Sequence, residues 1–184
     1  MNDNVKNDTR IALLIEGYPR TGYQTYARLI GDSTGGLCIG RLHPDYVAQK
    51  YGLERAKRYW LSSRKDKGAI APKSMQNLVK IIRSELKGRV GGQVLLDGLE
   101  YLLLFHDLGK VMDTMAEIDA LLKQADVTML VLLDPLTLDQ KDLDHLWDLY
   151  PRLTSEELLN AELPEQSQAI GGMGVLAGSQ FADL

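Results

Sequence analysis

Between an apolar run and an amphipathic one the chain reads Glu16-Gly17-Tyr18-Pro19-Arg20-Thr21-Gly22-Tyr23-Gln24-Thr25. A glycine, four residues and a second glycine, set between a strand and a helix, is the layout of a phosphate-binding loop, whose full form continues with lysine and then serine or threonine. The chemistry of such a loop is anion capture. Its glycines let backbone amides approach phosphate oxygens, and the helix N-terminus adds partial positive charge. The lysine neutralises the outer phosphates, and the hydroxyl holds a magnesium ion. Here Tyr23 and Gln24 stand in those two places. Arg20 and Thr25 offer a charge and a hydroxyl, but neither lies at the required offset. Two readings therefore stand side by side: a remnant phosphate site contacted through Gly17, Arg20, Thr21 and Gly22, or a plain strand-to-helix turn.

Other candidates fall at the ends of apolar runs. Val94-Leu95-Leu96-Asp97 has the form of a buried strand closed by the acid that assists magnesium in phosphoryl-transfer folds. A strand-terminal aspartate equally well caps the next turn, and without the loop hydroxyl no metal is assigned. Arg41 and His43 follow Ile39-Gly40, just past a strand's carboxyl end, where α/β sheets bind ligands. They are candidate ligand contacts, although His-Pro also starts a helix. Asp97 and Glu100 form a candidate acidic pair on the same edge, and Asp134-Pro135 closes the following strand. His43, His106 and His145 have no ligand-like spacing, so neither a zinc site nor a catalytic histidine is expected. No catalytic residue is assigned.

Positioning these groups requires alternating strands and helices. Short apolar runs at Ile11–Ile15, Leu37–Ile39, Arg58–Leu61, Val94–Leu96 and Val127–Leu133 read as strands. Helical spacing covers Tyr23–Ile30, Pro44–Tyr51, Ser74–Leu86, Asp107–Gln124 and Leu138–Leu149, the last begun by Thr137 or Asp139 as cap. Ser62–Pro72 reads as a polar loop, and Ser155–Asn160 as one further helical turn. The expected fold is a three-layer αβα domain with a mostly parallel sheet of about five strands. Three segments follow: a disordered start over 1–10, the domain over 11–150, and a C-terminal extension over 151–184. In that extension Gly171–Gly178 reads as a flexible tail, with docking through Phe181–Leu184 as the alternative.

Composition fits one globular domain of 184 residues, 45% hydrophobic and 25% charged. The longest apolar runs are too short to cross a bilayer. A single cysteine, Cys38, can form no internal disulfide and suits burial in a reducing cytosol. The net charge of −4 hides a division. Residues 1–92 hold 17 Lys and Arg against 8 Asp and Glu, whereas 93–184 hold 4 against 17. The two halves are expected to neutralise each other across one domain or between subunits, or else to offer a basic and an acidic face to partners. Arg55, Lys57, Arg58, Arg64, Lys65 and Lys67, with Tyr59 and Trp60 among them, suggest nucleic-acid binding. Against it stand an overall pI near 5.4 and the placement of both aromatics in a strand run.

Three blocks carry a family resemblance: Gly36-Leu37-Cys38-Ile39-Gly40-Arg41-Leu42-His43-Pro44, Tyr59-Trp60-Leu61-Ser62, and Val94-Leu95-Leu96-Asp97-Gly98-Leu99-Glu100-Tyr101-Leu102. Together they resemble the archaeal family known as domain of unknown function 835, over roughly Ile11 to Trp147. That resemblance implies a cytoplasmic signalling or scaffolding role with protein partners among signalling components. More distantly the segment order is similar to the RecA- and KaiC-like P-loop ATPases, which implies a RecA-like topology with a degenerate phosphate loop. Catalytic glutamates would follow Gly40 in those ATPases, and here the stretch is Arg41-Leu42-His43-Pro44. Loop lysine, magnesium hydroxyl and general base are all missing, and phosphoryl transfer depends on such groups for charge stabilisation and positioning. The expectation is a non-catalytic signalling or protein-interaction domain with no cofactor, open to self-association. A nucleotide-binding protein or weak NTPase with a non-standard loop is the alternative, and nucleic-acid binding through 55–67 a second.

Overall fold

Alternate residues of each strand point to opposite sides, and here both sides are buried. In β1 (Ile11–Ile15), Ile11 and Leu13 join one apolar cluster and Leu14 another. Leu37 and Ile39 part from Cys38 in β2 (Leu37–Gly40), and Val94 and Leu96 part from Leu95 in β5 (Gln93–Asp97). The same holds for β6 (Thr128–Leu133), where Met129, Val131 and Leu133 oppose Leu130 and Leu132. Strands buried on both faces are the mark of a parallel sheet with helices on each side. In the computed structural model, which describes residues 8–17, 20–31 and 36–161, that is the architecture: an αβα domain with every strand pair parallel.

The sheet has seven strands rather than about five, in the order β4-β3-β2-β5-β6-β1-β7. The five expected strands are its centre, with β3 at Lys57–Leu61. The two additions are two-residue edges, β4 (Ala69–Ile70) inside the expected polar loop and β7 (Arg152–Leu153) after Pro151. Neither is long enough to show a period in the sequence.

One face carries α1 (Gly22–Ile30), α2 (Pro44–Tyr51) and α7 (Ser155–Ala161). The other carries α3 (Met75–Leu86), α4 (Leu99–Leu103), α5 (Leu108–Ala125) and α6 (Gln140–Leu149). Caps fix where several begin. Ser74 accepts from the Asn77 amide, Asp107 from Lys110 and Asp139 from Asp142. Asp139 is thus the cap of α6, while Thr137 belongs to a 3-10 turn over Pro135–Thr137. The short α4 was not expected: after Asp97-Gly98 closes the apolar run of β5, five residues are too few to show a helical period. Tyr26 of α1 is fully buried, its hydroxyl 3.1 Å from the Leu37 carbonyl and 2.9 Å from that of Gln93, which fastens α1 across β2 and β5.

Described residues of the expected disordered start are held to α5: Thr9 and the Arg10 amide both reach Asp119, and Asp8 pairs with Lys123. The glycine-rich segment 171–178 and the segment 181–184 lie outside the described residues.

Candidate functional site

The order of strands decides what can meet at the carboxyl edge. β6 separates β1, which leads into Gly17–Gly22, from β5, which ends in Asp97. A group on α1 must therefore reach over β6 to touch Asp97. Tyr23 does so: its hydroxyl donates to Asp97 Oδ2 at 2.9 Å. Gly40 at the end of β2 makes room for it, since a Cβ there would collide with the Tyr23 hydroxyl. The ring stacks on Tyr51 of α2 at 5.0 Å between centroids. The position that carries lysine in a phosphate loop thus holds a tyrosine that crosses to the strand-end acid.

Asp97 is 3% exposed and richly partnered. Arg41 Nη2 donates to its Oδ1 at 2.8 Å, and Arg20 Nη1 stands 3.5 Å from the same oxygen. Arg20 also lies 3.9 Å from Glu16 Oε1. Two carboxylates and two guanidinium groups thus balance one another at a buried edge, which is the condition for keeping such charges out of water. For Arg41, burial works to lower the pKa, but the charge and hydrogen bond of Asp97 outweigh it and hold the guanidinium above its ordinary value. Burial raises the Tyr23 phenol far above its usual range, and the neighbouring Asp97 charge adds to that. The hydroxyl is a permanent donor.

Glu16 completes the arrangement. Its side chain is 3% exposed, and Oε2 accepts the backbone amides of Gly22 at 2.7 Å and Thr21 at 3.1 Å. These amides open α1, where a phosphate loop would present them to a phosphate. The seat for an anion is made, and the protein's own carboxylate sits in it. Burial raises the pKa of Glu16 above its ordinary value, opposed by the Gly22 amide and the Arg20 charge. Oε1 is buried without a hydrogen-bond partner. Arg20, bridging Glu16 and Asp97, stands where a cation between loop and strand-end acid would stand.

The remaining sequence candidates divide. Thr21 contributes its amide to Glu16, and its hydroxyl lies 3.3 Å from Ser155 Oγ of α7. The Thr25 hydroxyl is turned to Ser155 Oγ of α7 at 2.8 Å and lies 3.2 Å from the Thr21 carbonyl. Around Gly17 a Cβ would meet nothing. His43 caps α2, accepting at Nδ1 from the Asp45 amide, and packs edge-on against Trp60 at 5.0 Å. Glu100 turns to the neighbouring loop, where Oε1 accepts the Asp134 amide at 3.0 Å while Oε2 is buried and unpartnered. Arg20, Thr21, Gly22, Arg41 and Asp97 are therefore brought together, while Gly17, His43 and Glu100 lie outside the hydrogen-bonded cluster.

Two members of that cluster were missed as site residues. Glu16 gave one signal, an acid placed directly before a loop built for anions. Tyr23 gave one too, as the bulky replacement at the lysine position. In the basic segment both aromatic side chains are used internally: Tyr59 donates to Glu85 at 2.5 Å and Trp60 Nε1 to the Arg41 carbonyl at 3.0 Å. Arg58 is held by the carbonyls of Leu53, Glu54 and Ala56. Among the described residues no three His, Cys, Asp or Glu side chains gather as a metal-holding group, and no helix is long and apolar enough to cross a membrane.

Residues 19–149 match the family described as "Protein of unknown function (DUF835)". No curated protein matches the chain.

Proposed function

The chain belongs to the DUF835 family, and we propose that its domain is a non-catalytic protein-interaction module of a signalling or regulatory assembly. The observation that carries this reading is the Glu16 carboxylate seated on the Thr21 and Gly22 amides. A nucleotide phosphate at that seat must expel a buried carboxylate and then face Asp97 as well. Arg20 and Arg41, the cations that could receive it, are already committed to those acids. No lysine follows Gly22. Charge stabilisation of a transferring phosphoryl group has no source here. We read the scaffold as RecA-like in descent, with β6 between the loop strand and the Asp97 strand, and its phosphate loop closed from within.

Contact surface supports the interaction half of the reading. Leu104 is 76% exposed after α4, and Leu136 is 91% exposed after β6. Helix α4, which Leu104 follows, is linked by Glu100 to the Asp134 amide of the loop that carries Leu136. Large apolar side chains this exposed, near a site closed by its own charges, suit docking to protein.

Titration with ATP and GTP, with and without magnesium, is the direct test. Calorimetry is expected to register no binding and thermal melts no shift. Micromolar binding weakened by Gly22→Asp would overturn the reading in favour of a nucleotide-binding protein. For the interaction itself, a partner captured from the native organism is expected to be lost with Leu104→Asp and Leu136→Asp together.

A further inference from the structure

Charge in this chain is sorted along the sheet as well as along the sequence. Residues 52–74, which hold β3 and β4, carry seven Lys and Arg against two Asp and Glu. Residues 134–161, which follow β6 and hold α6, β7 and α7, carry seven Asp and Glu against two Lys and Arg. These two segments belong to opposite ends of the strand order. Seven strands make six spacings, about 29 Å at about 4.8 Å each, whereas charges in water are screened over about 8 Å at physiological salt. Neutralisation of one end by the other within a single copy is therefore closed off.

Local pairing leaves charge at both ends. On the basic end Lys57 lies 3.9 Å from Glu85, and Arg64 lies over the Trp60 ring. Lys65 and Lys67 are exposed and make no ion pair among the described residues. At the acidic end Arg152 is drawn over the Trp147 ring, 4.7 Å from its centroid. Asp144, Asp148 and Glu156 are exposed and without an ion pair among the described residues. Among the described residues each end also terminates in a strand hydrogen-bonded on one side only, β4 to β3 and β7 to β1. At two residues each, these edges are too short to drive strand pairing by themselves, which is how natural sheets blunt their edges. Side-chain charge has to supply the attraction.

We propose that the domain self-associates head to tail, the acidic β7 end of one copy docking on the basic β3–β4 end of the next. The inference rests on the interaction reading above and names a second copy as the partner. Because the two surfaces differ, the contact is heterologous and propagates instead of closing as a two-fold dimer. It weakens with salt.

Light scattering on the full chain at low and high salt tests this. At low salt the weight-average mass is expected to climb above the 20.5 kDa of one chain as protein concentration rises, and to return to it at high salt. Two variants sharpen the test. One carries Arg64→Ser, Lys65→Ser and Lys67→Ser, and the other Asp144→Ser, Asp148→Ser and Glu156→Ser. All six positions are on the surface, where substitutions leave folding little changed, and circular dichroism checks it. Each variant alone is expected to stay monomeric. Their equimolar mixture is expected to form one-to-one pairs and stop, since each retains the end the other lacks. A wild-type mass fixed at one chain in low salt would overturn the proposal, as would a salt-insensitive dimer or a mixture that stays monomeric. Nucleotide titration of the same samples separates the two readings. Binding of ATP by an assembling chain defeats the reading of the Glu16 seat as closed to nucleotides and leaves the head-to-tail contact standing, and a monomeric chain indifferent to ATP defeats only the head-to-tail contact.

Discussion

The hydroxyl of Tyr23 donates to Asp97 at 2.9 Å across 74 residues of sequence, tying the first turn of α1 to the carboxyl end of β5. Gly40 sits beneath that hydroxyl. The contact is the keystone of the carboxyl edge, and four predictions follow from it and its surroundings.

Adding one methyl group at Gly40 should lift Tyr23 off Asp97. Gly40→Ala is expected to cost about 1–3 kcal/mol through overpacking. Tyr23→Phe removes the colliding atom and leaves Asp97 Oδ2 unpaired, a loss of about 1–3 kcal/mol by itself. In the Tyr23→Phe background Gly40→Ala should cost much less, so the double-mutant cycle in urea should show coupling of about 0.5–3 kcal/mol. Strict additivity would mean that Gly40 does not serve the Tyr23 contact.

Removing the internal anion should open its seat. Glu16→Ala strands the Thr21 and Gly22 amides and Arg20, and is expected to destabilise the fold by about 1–3 kcal/mol. Inorganic phosphate or sulfate should restore part of that loss in the variant and do nothing for the wild type, read as a shift in Tm. Equal shifts in both proteins would show that Glu16 does not fill an anion site.

Glu16 should also leave a signature in the pH dependence of stability. Burial raises its folded-state pKa above the ordinary 4.5. An acid shifted in that direction holds its proton more tightly when folded, so its contribution is fully present below the unfolded value and is lost as pH rises through the folded one. Denaturant titrations should therefore show the wild type losing stability relative to Glu16→Gln as pH climbs from about 4.5, with the difference flat once Glu16 is ionised in both states. Parallel curves for the two proteins would refute this. The two amides and Arg20 oppose the shift, and Asp97 supports it.

Cys38 gives a simple check on the core. It is 2% exposed, and burial pushes its thiol up to about 12. A chromogenic disulfide reagent should find no reactive thiol in the folded protein at neutral pH and one per chain in denaturant. Prompt reaction of the native chain would place Cys38 outside the core described above.

What the sequence disclosed follows from the range of the forces involved. Runs such as Met129–Leu133 are apolar throughout because both faces of a parallel strand are buried, and that needs no partner to be recognised. A cap acts within three residues of itself, and so the start of α6 could be narrowed to Thr137 or Asp139, of which Asp139 is the cap. The edge strands β4 and β7 escaped because two residues carry no period. Helix α4 escaped because its five residues, Leu99–Leu103, make little more than one turn. At the site, Arg20, Arg41 and Asp97 stood out as charged groups at strand ends. Their mutual contacts depend on which strand lies beside which, and no spacing in the chain encodes that. The role of Glu16 was the least legible, because a carboxylate before a glycine acquires meaning only once the chain folds back to offer it two amides.

That seat also bears on how the domain could change. A lysine placed at position 23 would forfeit the hydroxyl that satisfies Asp97, and would enter a loop whose amides already hold Glu16 and whose acids already hold Arg20. A smaller residue at 16 alone would strand those amides and leave Arg20 with one acid fewer. Each such step costs stability on its own. The four side chains form an epistatic lock: emptying the seat at position 16 admits an anion without a lysine to meet it, and a lysine alone meets a seat already filled.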